Sequence, residues 1–165
     1  MRDLSKGYHM KEEYVNAFLA PAKLVWEKEL NTPLNLVKAE AVSHQYTTED
    51  ITAIIGVSGS LRGNVLYGFA NGSAFSVAGA MIGEPVTELD DMSLSALGEI
   101  ANIITGNAAT HLAAAGYECN ISPPVIIEPA GSRLTTTGGP QIMVSFNSDL
   151  GELKIRISLS EARGD

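Results

Sequence analysis

The chain has 165 residues, enough for one domain that buries its core without metal or disulfide help. It is 45% hydrophobic and 18% charged, with a net charge of −8 and no basic block, which argues against a nucleic-acid or anionic-membrane footprint. A single cysteine, Cys119, excludes an internal disulfide and fits a reducing compartment. No apolar run reaches the ~18 residues of a membrane span, and "MRDLSKGYHMKEEY" lacks a signal-peptide core, so a cytoplasmic protein is expected.

In chain order, residues 1–10 read as an N-terminal extension, with Met10 an alternative start. Residues 11–160 form the domain and 161–165 a tail. Val15, Phe18, Leu19, Ala22, Val25 and Trp26 recur at helical spacing and predict a helix over 11–30, which Pro21 either kinks or restarts. "NTPLN" ends it. The period then shortens to two. "LNLVKAEAVS" is one strand, and "ITAIIGVSG" and "GNVLYGFA" flank a short connection around "SLR" as a hairpin.

Two helices follow. "NGSAFSVAGAMIG" offers Asn71 or Ser73 as N-cap and Gly83 as a stop. "TELDDMSLSALGEIANIITGNAATHLAAAG" has acids at its head and ends at Gly116, a helix of roughly 25 residues or about 37 Å. The tail returns to strands: "PPVIIEPA", then "QIMVSFN" and "ELKIRISLS" as a second hairpin, with "GSRLTTTGGP" as a loop. In the last strand Leu153, Ile155, Ile157 and Leu159 alternate with Lys154, Arg156 and Ser158, the pattern of a sheet with one wet face. The order α-βββ-αα-βββ predicts a single α+β domain, its helices packed on a mainly antiparallel sheet.

Most candidate chemistry dissolves on inspection. "GVSGS", residues 56–60, is a near miss for a nucleophile elbow, but Ser60 replaces the second glycine and no helix follows. His9, His44 and His111 have no metal spacing, so no metal site is expected, and His111 reads as a helix-face residue. The glycines of "TTTGGP" match neither a P-loop nor a dinucleotide fingerprint, and the terminal "RGD" carries no weight.

The central helix is different. At 100° per residue, Ser95, Glu99, Asn102 and Gly106 fall on one narrow stripe, bordered by Gly98, Thr105, Ala109 and Thr110. Ala96, Leu97, Ile100, Ala101, Ile103, Ile104 and Ala108 make the opposite arc. Asn107 falls within that arc and is expected to hydrogen-bond in the interior. A solvated face would be rich in Lys and Glu pairs. Here two polar side chains at i, i+3 rise from a floor of Ser, Gly, Ala and Thr, which lets another protein approach closely. The pattern alone leaves three readings open: a solvated face, an internal hydrogen-bonded pair, or half of a site completed by a partner. In the last, the carboxylate pairs with a partner's lysine and the amide holds a water in line with a labile bond.

"S-ALG-E-IA-N", Ser95 to Asn102, resembles the Asp/Ser-x3-Glu-x2-Asn signature of the CheC/CheX phosphatases of bacterial chemotaxis. That motif continues to a proline a little over twenty residues on, and here Pro123 and Pro124 follow Asn102 after 20 and 21 intervening residues. "LSALGEIANIITG", "ISPP", "GVSGSLRGNVLYGF" and "VNAFL" are similar to CheX in particular, and the likeness covers about 15–160. CheC-type members carry a second Glu/Asn motif on the first helix; Glu27 here is followed by Leu30, so one site per chain fits CheX.

The resemblance implies a CheC/CheX-like fold and dephosphorylation of a CheY-like response regulator. It implies Asn102 as the residue that orients water and Glu99 as the partner of the regulator's lysine. Ser95, Pro123 and Pro124 are then supporting residues. It further implies no cofactor of the chain's own, Mg²⁺ on the regulator, and a homodimer. Two other readings remain: a non-catalytic module that binds phosphorylated regulators, related to the flagellar switch proteins, and a structural domain that uses the stripe as an interface.

Overall fold

A computed structural model describes residues 11–43, 45–128, 131–135 and 141–162. The expected N-terminal extension, His9, His44, most of "TTTGGP" and the "RGD" terminus lie outside these residues.

The first helix, α1 (Glu12–Leu30), runs unbroken through Pro21, which it buries with Val15, Phe18, Ala22, Val25 and Trp26. Asn31 closes it in the left-handed region, its N–H bonded to Glu27 O. Strands β1 (Asn35–Val42), β2 (Gln45–Thr47), β3 (Ile51–Gly59) and β4 (Leu61–Phe69) follow, then α2 (Asn71–Ile82) and α3 (Asp91–Ala114). Five strands complete the chain: β5 (Cys119–Ile121), β6 (Val125–Ile127), β7 (Arg133–Thr135), β8 (Gln141–Ser148) and β9 (Gly151–Glu161). Every pairing among them is antiparallel.

The main sheet has the order β1-β8-β9-β4-β3-β5, and β6 also pairs β3. Its inner face presents Ile155 and Ile157 of β9, Val65 and Tyr67 of β4, Ile55 of β3 and Val144 of β8. The buried faces of α1, α2 and α3 join these residues in one apolar cluster. The result is the expected α+β domain, helices on one face of an antiparallel sheet. No helix of the described residues is long and apolar enough to cross a membrane.

Four details depart from the sequence reading. The three-residue strands β2, β5 and β7 are additional, and β7 occupies part of the expected "GSRLTTTGGP" loop. The N-cap of α2 is Ala70, not Asn71 or Ser73; the Asn71 N–H is instead taken by Asp50 Oδ2 at 2.8 Å. The connection around "SLR" is not a free loop: the β3–β4 pairing ends at Val57 and Gly63, but Leu61 and Arg62 pair with β9. Finally, the outer face of β9 is not wet along its length. Arg156 and Ser158 are buried there. Arg156 stacks on the Tyr46 ring 4.6 Å from its centroid, donates to Gln45 O at 3.0 Å and binds Gln141. The β2–β7 ribbon therefore covers this part of the sheet.

Candidate functional site

The helix that carries the polar stripe is fixed at its start by its own sequence. Asp90 is the N-cap of α3: its carboxylate accepts from Ser93 N–H at 2.9 Å and Ser93 Oγ at 2.8 Å. These bonds hold the Asp90 carboxyl below the ordinary carboxylate range. Leu97, Ile100, Ala101, Ile104, Ala108 and Leu112 bury the opposite arc. Thr105, expected at the border of the stripe, is buried; its hydroxyl lies 2.6 Å from that of Tyr67 on β4 and donates to Ala101 O at 2.8 Å. Burial pushes the Tyr67 hydroxyl well above its ordinary range, so it stays protonated and can donate.

On the outward side the stripe appears as expected. Ser95 and Glu99 are exposed, and Asn102 and Gly106 are half-buried. Among the described residues, neither the Glu99 carboxylate nor the Asn102 amide has a hydrogen-bond partner. Asn107 is a correction: it faces solvent, not the interior, and its amide donates back to Ile103 O at 2.8 Å. The amide is satisfied within one turn of its own helix and needs no place in the core. His111 is exposed on the same helix.

The prolines arrive beside the stripe through the sheet edge. β5 and β6 pair in succession with the same strand, β3, on its side away from β4. Residues 122–124 stand opposite only two residues, 55 and 56, which makes a bulge at the sheet edge. Ser122 fastens it: its N–H donates to Gly56 O at 2.9 Å, and its Oγ accepts from Gly56 N–H at 2.8 Å. The glycine of the false nucleophile elbow thus serves as an anchor. The bulge sets Pro124 over Gly98, where an added methyl group would come within 3.2 Å of Pro124 Cγ and 3.5 Å of Ile126 Cδ1. Pro123 is exposed. An open groove of about 430 Å³ runs between α3 and β6, with Ser95, Gly98, Glu99, Pro124 and Ile126 among its walls.

So Glu99, Ser95 and Pro124 meet at one groove, with Asn102 one turn further along the helix. The contact of Gly98 with Pro124 was missed from sequence; the helix wheel marked Gly98 only as a border residue. A second pair was also missed. Glu13 and Asn16 of α1 repeat the i, i+3 spacing and are both exposed, but Glu13 accepts the Tyr117 hydroxyl at 2.6 Å. The string "E-Y-V-N" is its signal in the sequence. Among the described residues, no three His, Cys, Asp or Glu side chains come together as a metal site would require.

Among the described residues, this arrangement sets the Glu99 carboxylate, the Asn102 amide and the Ser95 hydroxyl on one helix beside a shallow groove. The comparisons fit it. A family model described as chemotaxis phosphatase CheX matches residues 51–147. A curated relative from Thermotoga maritima, named CheY-P phosphatase CheX, is 28% identical over 130 residues, which span 78% of this chain and 84% of the relative. The crystal structure of the chemotaxis protein CheX from Vibrio vulnificus superposes with a TM-score of 0.81 at 27% identity, over 90% of this chain and 99% of that one. The structure of the CheX–CheY–BeF3–Mg complex from Borrelia burgdorferi matches with a TM-score of 0.77 at 26% identity, over 90% and 98%.

Proposed function

The chain belongs to the chemotaxis phosphatase CheX family, and from that premise we propose that it hydrolyses the aspartyl phosphate of a CheY-like response regulator, with Glu99 and Asn102 entering the regulator's active site. One observation carries the residue assignment. Both side chains lie on the accessible stripe of α3 and, among the described residues, have no hydrogen-bond partner, so docking breaks no such bond of either.

The roles follow from the chemistry. Phosphoryl transfer asks mainly for positioning and charge stabilisation. The Asn102 amide holds a water in line with the phosphorus–oxygen bond. The Glu99 carboxylate pairs with the regulator's lysine and fixes the register of docking. The phosphoaspartate and Mg²⁺ belong to the regulator, in keeping with the complex from Borrelia burgdorferi. Ser95 keeps the floor low beside Glu99, and Pro124 forms the facing wall. The protein then works in the cytoplasm, where the regulator is. It forms a homodimer, for which β1 supports the reading: among the described residues this strand is an edge of the main sheet, with Leu36 and Val37 exposed. Sedimentation at micromolar concentration showing only monomer would remove the dimer and leave the activity reading intact.

The test of activity is direct. A CheY-like regulator from the genome that encodes this chain is phosphorylated, and phosphate loss is followed with and without the protein. Acceleration by the wild type that Glu99→Ala or Asn102→Ala abolishes supports the reading. Tight binding with an unchanged phosphate lifetime would replace it with the non-catalytic binding module.

A further inference from the structure

We propose that Met92 and the groove beside Glu99 form the apolar anchor that holds the regulator's receiver domain and selects it; this rests on the function proposed above and adds the contact that carries affinity. Met92 is 63% exposed, and among the described residues of α3 it is the large apolar side chain left in solvent. Positions 92, 95, 99 and 102 step by three, four and three residues, so Met92 continues the Glu99/Asn102 stripe toward the N-terminus of α3. It stands seven residues from Glu99, about 10 Å along the helix axis.

The groove lies alongside. Leu94, Gly98, Pro124 and Ile126 give it apolar walls, and Asp91 and Glu99 set carboxylates on them. No cation is among its described lining residues. Such a site is complementary to a surface that brings an apolar side chain next to a positive charge. A receiver domain whose lysine meets Glu99 presents the charge, and its neighbouring apolar side chain lies against Met92 and the open side of the groove, since Pro124 covers Gly98 itself. Met92 lies in the sequence between Asp91 and Leu94, which line the groove, and its unbranched, polarizable side chain adapts to a partner's contour. A fully desolvated apolar anchor of this kind concentrates binding energy, whereas the exposed carboxylates around it chiefly steer.

The experiment measures binding and turnover separately. The probe is the beryllofluoride-activated receiver domain of a CheY-like regulator from the same genome, titrated against wild type, Met92→Ser and Met92→Leu. Phosphate release is measured in parallel with the phosphorylated receiver. Met92→Ser is expected to raise Kd and KM about tenfold with kcat within about twofold, and Met92→Leu to stay near wild type. An unchanged Kd for Met92→Ser overturns the anchor, whatever the turnover. A wild type that binds without hydrolysis overturns the proposed activity, while the Met92→Ser shift still decides the anchor. A wild type that neither binds nor hydrolyses sinks both. Circular dichroism confirms that the variants fold, as substitution of an exposed side chain predicts.

Discussion

Tyr117 donates its hydroxyl hydrogen to Glu13 Oε1 at 2.6 Å and so ties the turn after α3 to the head of α1. Lys11 reaches the same hydroxyl at 3.2 Å, and its ammonium pairs with Glu161 at 2.9 Å. Glu13 is therefore part of a structural clasp, whereas Glu99, at the same spacing from an asparagine, is free to meet a partner. Sequence spacing does not separate the two pairs; hydrogen bonding does. Asn16→Ala is expected to leave phosphatase activity within about twofold, while Asn102→Ala lowers kcat by about 100-fold, the loss typical of a misplaced reactant. Equal losses from the two variants would mean that α1 carries a second working site.

Gly98 is where packing and site share an atom. Its missing side chain admits Pro124, and Pro124 is held in place through Ser122 and Gly56. Gly98→Ala places a methyl 3.2 Å from Pro124 Cγ, a close contact that a gain of about 1 kcal/mol in helix propensity offsets. Gly98→Leu has no such room and should cost about 1–3 kcal/mol by overpacking. Urea unfolding of the two variants checks this order. A Leu variant as stable as wild type would show that the proline wall yields freely.

The Tyr67–Thr105 contact pins α3 to β4 one turn beyond Asn102, and its two partners are not equivalent. Tyr67→Phe removes a donor, yet Thr105 keeps its bond to Ala101 O, so a loss of about 1 kcal/mol is expected. Thr105→Val leaves the buried Tyr67 hydroxyl without that partner and should cost more, about 1–3 kcal/mol. Paired denaturation curves decide it, and the reverse order would place the energy in the threonine's backbone bond.

Much of this molecule could be read before folding, for reasons that particular residues make plain. α3 was legible because Asp90 and Gly116 punctuate it and its apolar arc repeats over six turns. The stripe of Ser95, Glu99 and Asn102 was legible because a helix wheel needs only local geometry. What the sequence hid was non-local. β2, β5 and β7 are three residues each, too short to display a period. Arg156 looked wet because its cover, Tyr46, comes from more than a hundred residues away. Asn107 looked buried because the wheel cannot show that one side of the arc is left open there. Pro124 could be counted at its distance from Asn102, but only the bulge opposite residues 55 and 56 reveals that it lands on Gly98.

The cap of α3 supplies a pH test. Asp90 is held below its ordinary range chiefly by the Ser93 backbone N–H, then by the Ser93 hydroxyl. A depressed folded pKa means that the stabilisation is present above the unfolded value and is lost as pH falls through the folded one. The window is thus acidic, below about pH 4. Asp90→Asn retains an acceptor that does not titrate. Wild type should therefore have the higher urea midpoint near neutrality, and the gap should narrow steadily as pH falls from about 5 to about 2. Asp90→Ala should be the least stable at neutral pH, since it has no acceptor at all. The site feels the same change unevenly. Fraying of the first turn displaces Met92, while Glu99 and Asn102 sit two and three turns into the helix, so Asp90→Ala should raise KM for the phosphorylated regulator more than it lowers kcat. A gap between wild type and Asp90→Asn that stays constant across the acid range would show that the carboxylate charge does not hold the cap.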